Sequence, residues 1–203
     1  MPERSLPLIV CFGDSLTAGF QSPTPEIPEP LETPSGAFLQ ARLRGRAQVQ
    51  VSGICGEMTA EMVGRFARDV LAFKPAHAVI LGGTNDLGWN LQPEEIMRNL
   101  RDMYGMAHEA GVRAVAVTVP SVRGFDDQIP RRRALNAMIA DYCAGARLSW
   151  VDLFTATAEP DTHRLAAWYS NDGLHLTTAG YELLAMLLYE QVFKDDPLLP
   201  PPQ

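Results

Sequence analysis

The stretch that most constrains this chain is Leu8-Ile9-Val10-Cys11-Phe12-Gly13-Asp14-Ser15-Leu16-Thr17-Ala18-Gly19. Five consecutive apolar residues predict a short strand buried on both faces, the kind that belongs in a parallel sheet. The strand stops at Gly13, and a hydroxyl follows two positions later. In open α/β sheets the ligand crevice lies outside the carboxyl ends of the strands, so Ser15 stands where a nucleophile would be useful. The same serine also suits a helix N-cap, and this stretch alone leaves both roles open.

The pattern then repeats along the chain. Val49–Val51 predicts a second strand, and Val63, Phe66, Val70 and Phe73 give Thr59–Phe73 a helical period. Ala78–Leu81 is a third strand, and Pro93 opens a helix with Ile96, Leu100, Met103 and Ala107 on one face and Gly111 at its end. Val112–Val119 and Leu148–Leu153 supply strands four and five, with a helix over Ala134–Cys143 between them. Gly36–Leu43 is a short helix, Thr155–Tyr169 is irregular with a short helix, and Thr178 caps a final helix carrying Leu184, Leu187, Leu188 and Val192. Such alternation predicts an α/β fold: a three-layer α/β/α sandwich, flavodoxin-like, around a five-stranded parallel sheet. At 203 residues the chain fits one domain over 1–203, with no repeat and no linker. Ser22–Pro34 holds five prolines and predicts an extended surface loop, either a wall of the site or a tolerated insertion. Asp195–Gln203, with four prolines, predicts a tail.

Composition removes several classes of function. A net charge of −7 argues against nucleic acid and anionic membrane surfaces as partners. Arg131-Arg132-Arg133, the longest basic run, is expected to be a solvated helix face. Cys11, Cys55 and Cys143 are far apart and lack metal-ligand spacing, so neither a disulfide framework nor a metal is expected. No apolar run is long enough to span a bilayer, and the residues before the first strand have no apolar leader core. A cytoplasmic location is the resulting expectation. Neither phosphate-loop nor dinucleotide glycine spacing occurs, so no cofactor is expected.

Cleaving an ester by acyl transfer requires a nucleophile, a base held in the right tautomer, and donors for the developing oxyanion. Of four histidines, His77 stands at a strand entrance, on the wrong edge of the sheet, and His108 near a helix C-terminus. His163 has no obvious partner. His175 follows Asp172 by three residues in a glycine-containing loop, short enough to bring the carboxylate to Nδ1 and leave Nε2 for Ser15. Taken singly, His175 also reads as a surface loop histidine. Gly56 and Asn85 follow the second and third strands and offer a backbone N–H and a side-chain amide, though tight turns alone would also place such residues there.

Taken together these residues resemble the GDSL, or SGNH, hydrolases from Leu8 to about Leu188. Gly13-Asp14-Ser15-Leu16 is similar to that family's signature. The resemblance implies Ser15 as nucleophile, Gly56 in Gly53-Ile54-Cys55-Gly56-Glu57 and Asn85 in Gly83-Thr84-Asn85-Asp86 as oxyanion donors with the Ser15 N–H, and His175 with Asp172 in Asp172-Gly173-Leu174-His175. It also implies a three-layer α/β/α sandwich, a small-molecule ester substrate and no metal. The chain departs from the family's pattern at Val51, Cys55 and Met58, where Asn, Ser and Thr are frequent. Thr17 stands where the nucleophile elbow of the larger α/β-hydrolases needs a second glycine, so that fold is not implied. A thioesterase, a lysophospholipase or a carbohydrate deacetylase would use the same residues. A flavodoxin-like binding module without chemistry would not need the Asp172–His175 pair. Trp89, four positions after Asn85, is expected to wall the acyl pocket unless it packs a helix. The proline-rich loop is expected on the alcohol side. One apolar wall and no evident tunnel lead to an expected preference for short acyl chains.

Overall fold

The computed structural model describes residues 6–201. The stretch read for a leader lies almost wholly outside these, as do the last two residues of the proline-containing tail. In chain order the elements are β1 (Leu8–Gly13), α1 (Ser15–Ala18), β2 (Phe20–Gln21), β3 (Leu31–Glu32), α2 (Ser35–Leu43), β4 (Gln48–Gly53), α3 (Thr59–Asp69) and β5 (His77–Leu81). Then follow α4 (Thr84–Gly88), α5 (Pro93–Glu109), β6 (Arg113–Val117), α6 (Ile129–Ala146), β7 (Ser149–Val151), α7 (Leu153–Thr157) and α8 (Thr178–Leu188).

Five strands form one sheet in the order β4-β1-β5-β6-β7, every pair parallel. The chain leaves β1 in one direction to make β4, then returns past β1 to make β5. Right-handed crossovers put the connecting helices of opposite directions on opposite faces of the sheet. Hence α2 lies on one face, where it packs against α8, while α3, α5 and α6 pack in succession on the other. The reversal falls between β1 and β5, and Gly13 is in register with Gly53 on one side and Leu81 on the other. Loops leaving β1, β4 and β5 therefore converge on one sheet edge, at the position where such folds form their crevice.

Burial explains why β1 reads as an apolar run. Ile9, Val10 and Phe12 are wholly buried between the two helical layers, and Phe12 meets Phe66 of α3 edge to face at 5.2 Å. Gly13 is required by space. A Cβ there would stand 2.1 Å from the Leu81 carbonyl oxygen and 2.3 Å from Thr17 Oγ1.

Five expectations need correction. The helix read as Thr59–Phe73 ends at Asp69 and continues as a 3₁₀ turn over Leu71–Phe73, because Val70 leaves helical geometry and Phe73 is exposed. The helix read from Ala134 begins at Ile129, since Pro130 falls in its first turn, where the missing N–H costs nothing. Arg132, expected on a solvated face, is 1% exposed because it shares its helix face with Leu135, Ile139 and Cys143. Finally, Thr177 rather than Thr178 is the N-cap of α8, and the described part of the expected tail is docked. Arg46 donates to the carbonyls of Phe193, Lys194 and Pro200, and Asp196 meets buried His77.

Candidate active site

Asp14 turns β1 into α1: its extended backbone ends the strand, and its Oδ1 accepts from Leu16 N at 2.9 Å. So Asp14, not Ser15, is the cap, and Ser15 begins the helix with its hydroxyl at the sheet edge. His175 Nε2 lies 3.2 Å from Ser15 Oγ, and His175 Nδ1 lies 2.7 Å from Asp172 Oδ2. Of the four histidines, the one chosen from its loop spacing is the one beside the serine. His77 is at the far edge, where it faces Asp196.

The loop that carries this pair is held from several directions. Asp172 Oδ1 accepts from the N–H groups of Leu174 and His175, both at 2.8 Å, which folds the loop around its own carboxylate. Gly173 has φ +82°, and a Cβ there would lie 2.1 Å from the Arg123 carbonyl oxygen, so only glycine fits. Arg123 N in turn donates to Gly173 O. Burial works against the charge on Asp172, but hydrogen bonds from His175, Ser22 and the two N–H groups outweigh it and hold the carboxyl well below the usual carboxylate range. The Phe20 ring meets the His175 imidazole edge to face at 4.7 Å.

Gly56 has φ +79° in the turn after β4, and its N–H donates to no backbone carbonyl among the described residues. Asn85 Nδ2 donates to Glu57 O at 2.9 Å, which orients the amide and leaves its second N–H free of that bond. Glu57 is itself fixed by Arg65, whose Nε reaches Oε1 and Oε2 at 2.6 and 2.8 Å. Arg65 also donates to Gly13 O and to Ser52, so one buried guanidinium ties the ends of β1 and β4 to the Gly56–Glu57 turn. Asp86 accepts from Thr59 N and Oγ1 and fastens the start of α3 to the same loops.

Beside these groups opens a cleft of about 360 Å³, lined by Thr84, Asn85, Trp89, Val122, Phe125 and Leu174. Trp89 is 74% exposed at its mouth and therefore packs no helix. Gly88, Gln128 and Arg132 complete the lining. The proline-rich segment forms an exposed loop pinned by pairing of β2 with β3, and Ser22 at its start donates to Asp172 Oδ2 at 2.5 Å.

Sequence reasoning missed Ser22, Phe20, Arg65 and Arg132. The signal for Arg132 was available, since helical spacing puts it in line with Leu135, Ile139 and Cys143. For Ser22 there was none, because its partner lies 150 residues away.

A serine, a histidine and an aspartate thus stand in hydrogen-bonded line at the switch point of a parallel sheet. Residues 11–183 match the GDSL-like lipase/acylhydrolase family, and the chain belongs to it, which makes it an esterase or acylhydrolase. A search of curated proteins finds no match. Among solved structures, the lipase/acylhydrolase from Enterococcus faecalis is similar at 28% identity and TM-score 0.78, covering 98% of this chain and all of that one. A GDSL-like lipase from Bacteroides thetaiotaomicron is similar at 21% identity and TM-score 0.75, over 90% of this chain and 86% of that one. A carbohydrate acetylesterase from Sinorhizobium meliloti is similar at 18% identity and TM-score 0.73, over 92% and 98%. Among the described residues no helix is long and apolar enough to cross a membrane.

Proposed function

We propose that the protein hydrolyses carboxylic esters of small molecules through an acyl-enzyme on Ser15. The observation that carries this reading is the line Ser15 Oγ, His175, Asp172, with separations of 3.2 and 2.7 Å. Ser15 Oγ attacks the ester carbonyl carbon while its proton passes to His175 Nε2. The C–O bond to the alcohol breaks, and the leaving oxygen takes that proton. Water then attacks the acyl carbon and gives a proton to His175, which passes it to Ser15 Oγ as the bond from that oxygen to the acyl group breaks and the acid departs. Asp172, ionised across the working pH range, keeps the Nδ1 proton in place and favours the imidazolium that forms transiently. Gly56 N–H, Ser15 N–H and the free N–H of Asn85 receive the oxyanion.

The Trp89 side of the cleft takes the acyl group, and the alcohol runs toward Ser22–Pro34. Short acyl chains are preferred. A second reading, removal of acetyl groups from carbohydrate, is supported by the exposed indole of Trp89, a flat apolar face of the kind on which a sugar ring can lie. The carbohydrate acetylesterase from Sinorhizobium meliloti shares the fold. Labelling with a fluorophosphonate tests the central reading. Wild-type protein should be modified at Ser15 alone, and a label that persists in Ser15→Ala would refute the assignment. A panel of aryl esters, acyl-CoA, lysophospholipid and acetylated sugars separates the substrate classes.

A further inference from the structure

Three arginines are buried in this fold, and they differ in what satisfies them. All three nitrogens of Arg65 have acceptors: Glu57, Ser52, Asp69 and the Gly13 carbonyl. Arg46 directs Nε and one terminal nitrogen onto three carbonyls of the C-terminal segment. Both hold chain segments together, and neither borders the cleft beside Asn85. Arg132 does border it. One of its terminal nitrogens donates to Pro120 O at 3.0 Å, with Thr84 Oγ1 at a marginal 3.5 Å. Its Nε is buried and has no acceptor among the described residues.

Burying a guanidinium is costly, and leaving one of its donors unmatched adds to that cost. The carboxylate whose charge acts on it, Asp14, is no substitute: its Oδ2 is likewise buried and has no partner among the described residues. Burial also pushes the Asp14 carboxyl up to about 7, so near neutrality it balances the arginine only in part. An under-satisfied guanidinium in the lining of a cleft disfavours an alkyl tail, which offers it nothing and strips away water. It favours a group that brings an acceptor. The cleft walls suit a short chain: Val122, Leu174, Phe125 and Trp89 are apolar, whereas Thr84, Gln128 and Arg132 are polar.

On the reading that Asn85 belongs to the oxyanion hole, we infer that Arg132 is a specificity residue selecting short acyl groups with an acceptor oxygen remote from the scissile ester. The electrostatic contribution is local. The net charge of −7 opposes a free anion in solution but not an oxygen delivered to a buried guanidinium.

The test compares three nitrophenyl esters of similar acyl size: butyrate, methoxyacetate with a neutral ether oxygen, and the hemisuccinate with a carboxylate. Intrinsic reactivities differ, so the quantity read is the change in each oxygenated-to-butyrate kcat/KM ratio between wild type and Arg132→Met. Methionine keeps an unbranched stem without the charge. At least one ratio should fall about 10-fold or more in Arg132→Met, while butyrate turnover survives. A fall for hemisuccinate alone assigns the preference to carboxylate, and a fall for both assigns it to any acceptor oxygen. Should Arg132→Met fail to fold, wild type supplies the reading through product inhibition, where methoxyacetate or succinate should bind several-fold tighter than butyrate. Unchanged ratios in a folded enzyme that still depends on Ser15, or equal inhibition by all three acids, overturn this inference alone. Activity that survives Ser15→Ala overturns the site assignment and this inference with it.

Discussion

Two histidine–aspartate pairs stand at opposite edges of one sheet. At the carboxyl edge His175 gives Nδ1 to Asp172 at 2.7 Å and turns Nε2 to Ser15. At the amino edge His77, the first residue of β5, gives Nε2 to Asp196 at 2.6 Å and leaves Nδ1 buried without a partner among the described residues. The separations are alike, but His175 is 18% exposed and His77 is 2% exposed. His77 packs edge to face on Phe193 and bolts the C-terminal segment to the sheet. A close His–Asp contact is therefore no mark of catalysis. What distinguishes the proposed active pair is a hydroxyl on the second ring nitrogen, at the edge where the loops converge.

Substitutions at the two edges should separate chemistry from stability. The largest effect is expected from Ser15→Ala, which should cost on the order of 10⁴ to 10⁶ in kcat with little change in Tm. Ester turnover by the purified variant checks this; a tenth of wild-type activity would mean a different nucleophile. Next comes a matched pair. Asp172→Asn should lower kcat by roughly 10⁴-fold with KM little changed, since tautomer and charge are lost rather than binding. Asp196→Asn should lower Tm and leave kcat intact, and equal kcat losses in both would erase the distinction drawn here. Smaller again, Asn85→Ala should slow kcat by about 10²-fold, as for other oxyanion donors. An effect on KM alone would make Asn85 a substrate-positioning group.

The smallest effect concerns pH. Burial holds the His77 pKa below its ordinary value, with Asp196 only partly offsetting it. The unfolded chain then binds a proton that the folded one refuses, so His77 contributes stability above the ordinary histidine range that is lost as pH falls through it. Replacing His77 with Gln should cost about 1–3 kcal/mol at pH 8, because Asp196 loses a buried partner. It should also flatten the decline in Tm between pH 8 and 5, without moving the pH profile of kcat/KM. Thermal melts across this range decide the matter, and an unaltered acid slope would remove His77 from the account.

Much of the active edge was legible because its information is local. An apolar run stopped by glycine places Ser15, and a three-residue spacing lets Asp172 wrap its own loop around His175 N. The Arg131–Arg133 run misled, because a charge count ignores helix phase: Arg132 turns inward while Arg133 stays exposed. The tail misled for another reason. Prolines in Asp195–Gln203 do suit irregular backbone, but irregular backbone can still dock when Arg46 and His77 meet its carbonyls and carboxylate. Ser22 was read only as the start of a surface loop, although its hydroxyl completes the coordination of Asp172.

The sequence by itself determined the layered α/β class, the run of strands and helices, and the local turns that follow β1 and join Asp172 to His175, because period, glycine placement and loop spacing act over a few residues. Only the tertiary structure decided that Ser22 meets Asp172, which arginine is left under-satisfied beside the cleft, and how the tail closes the opposite edge. Those outcomes depend on strand order. The register that sets Gly13 between Gly53 and Leu81 brings together groups whose separation along the chain carries no signal of their contact.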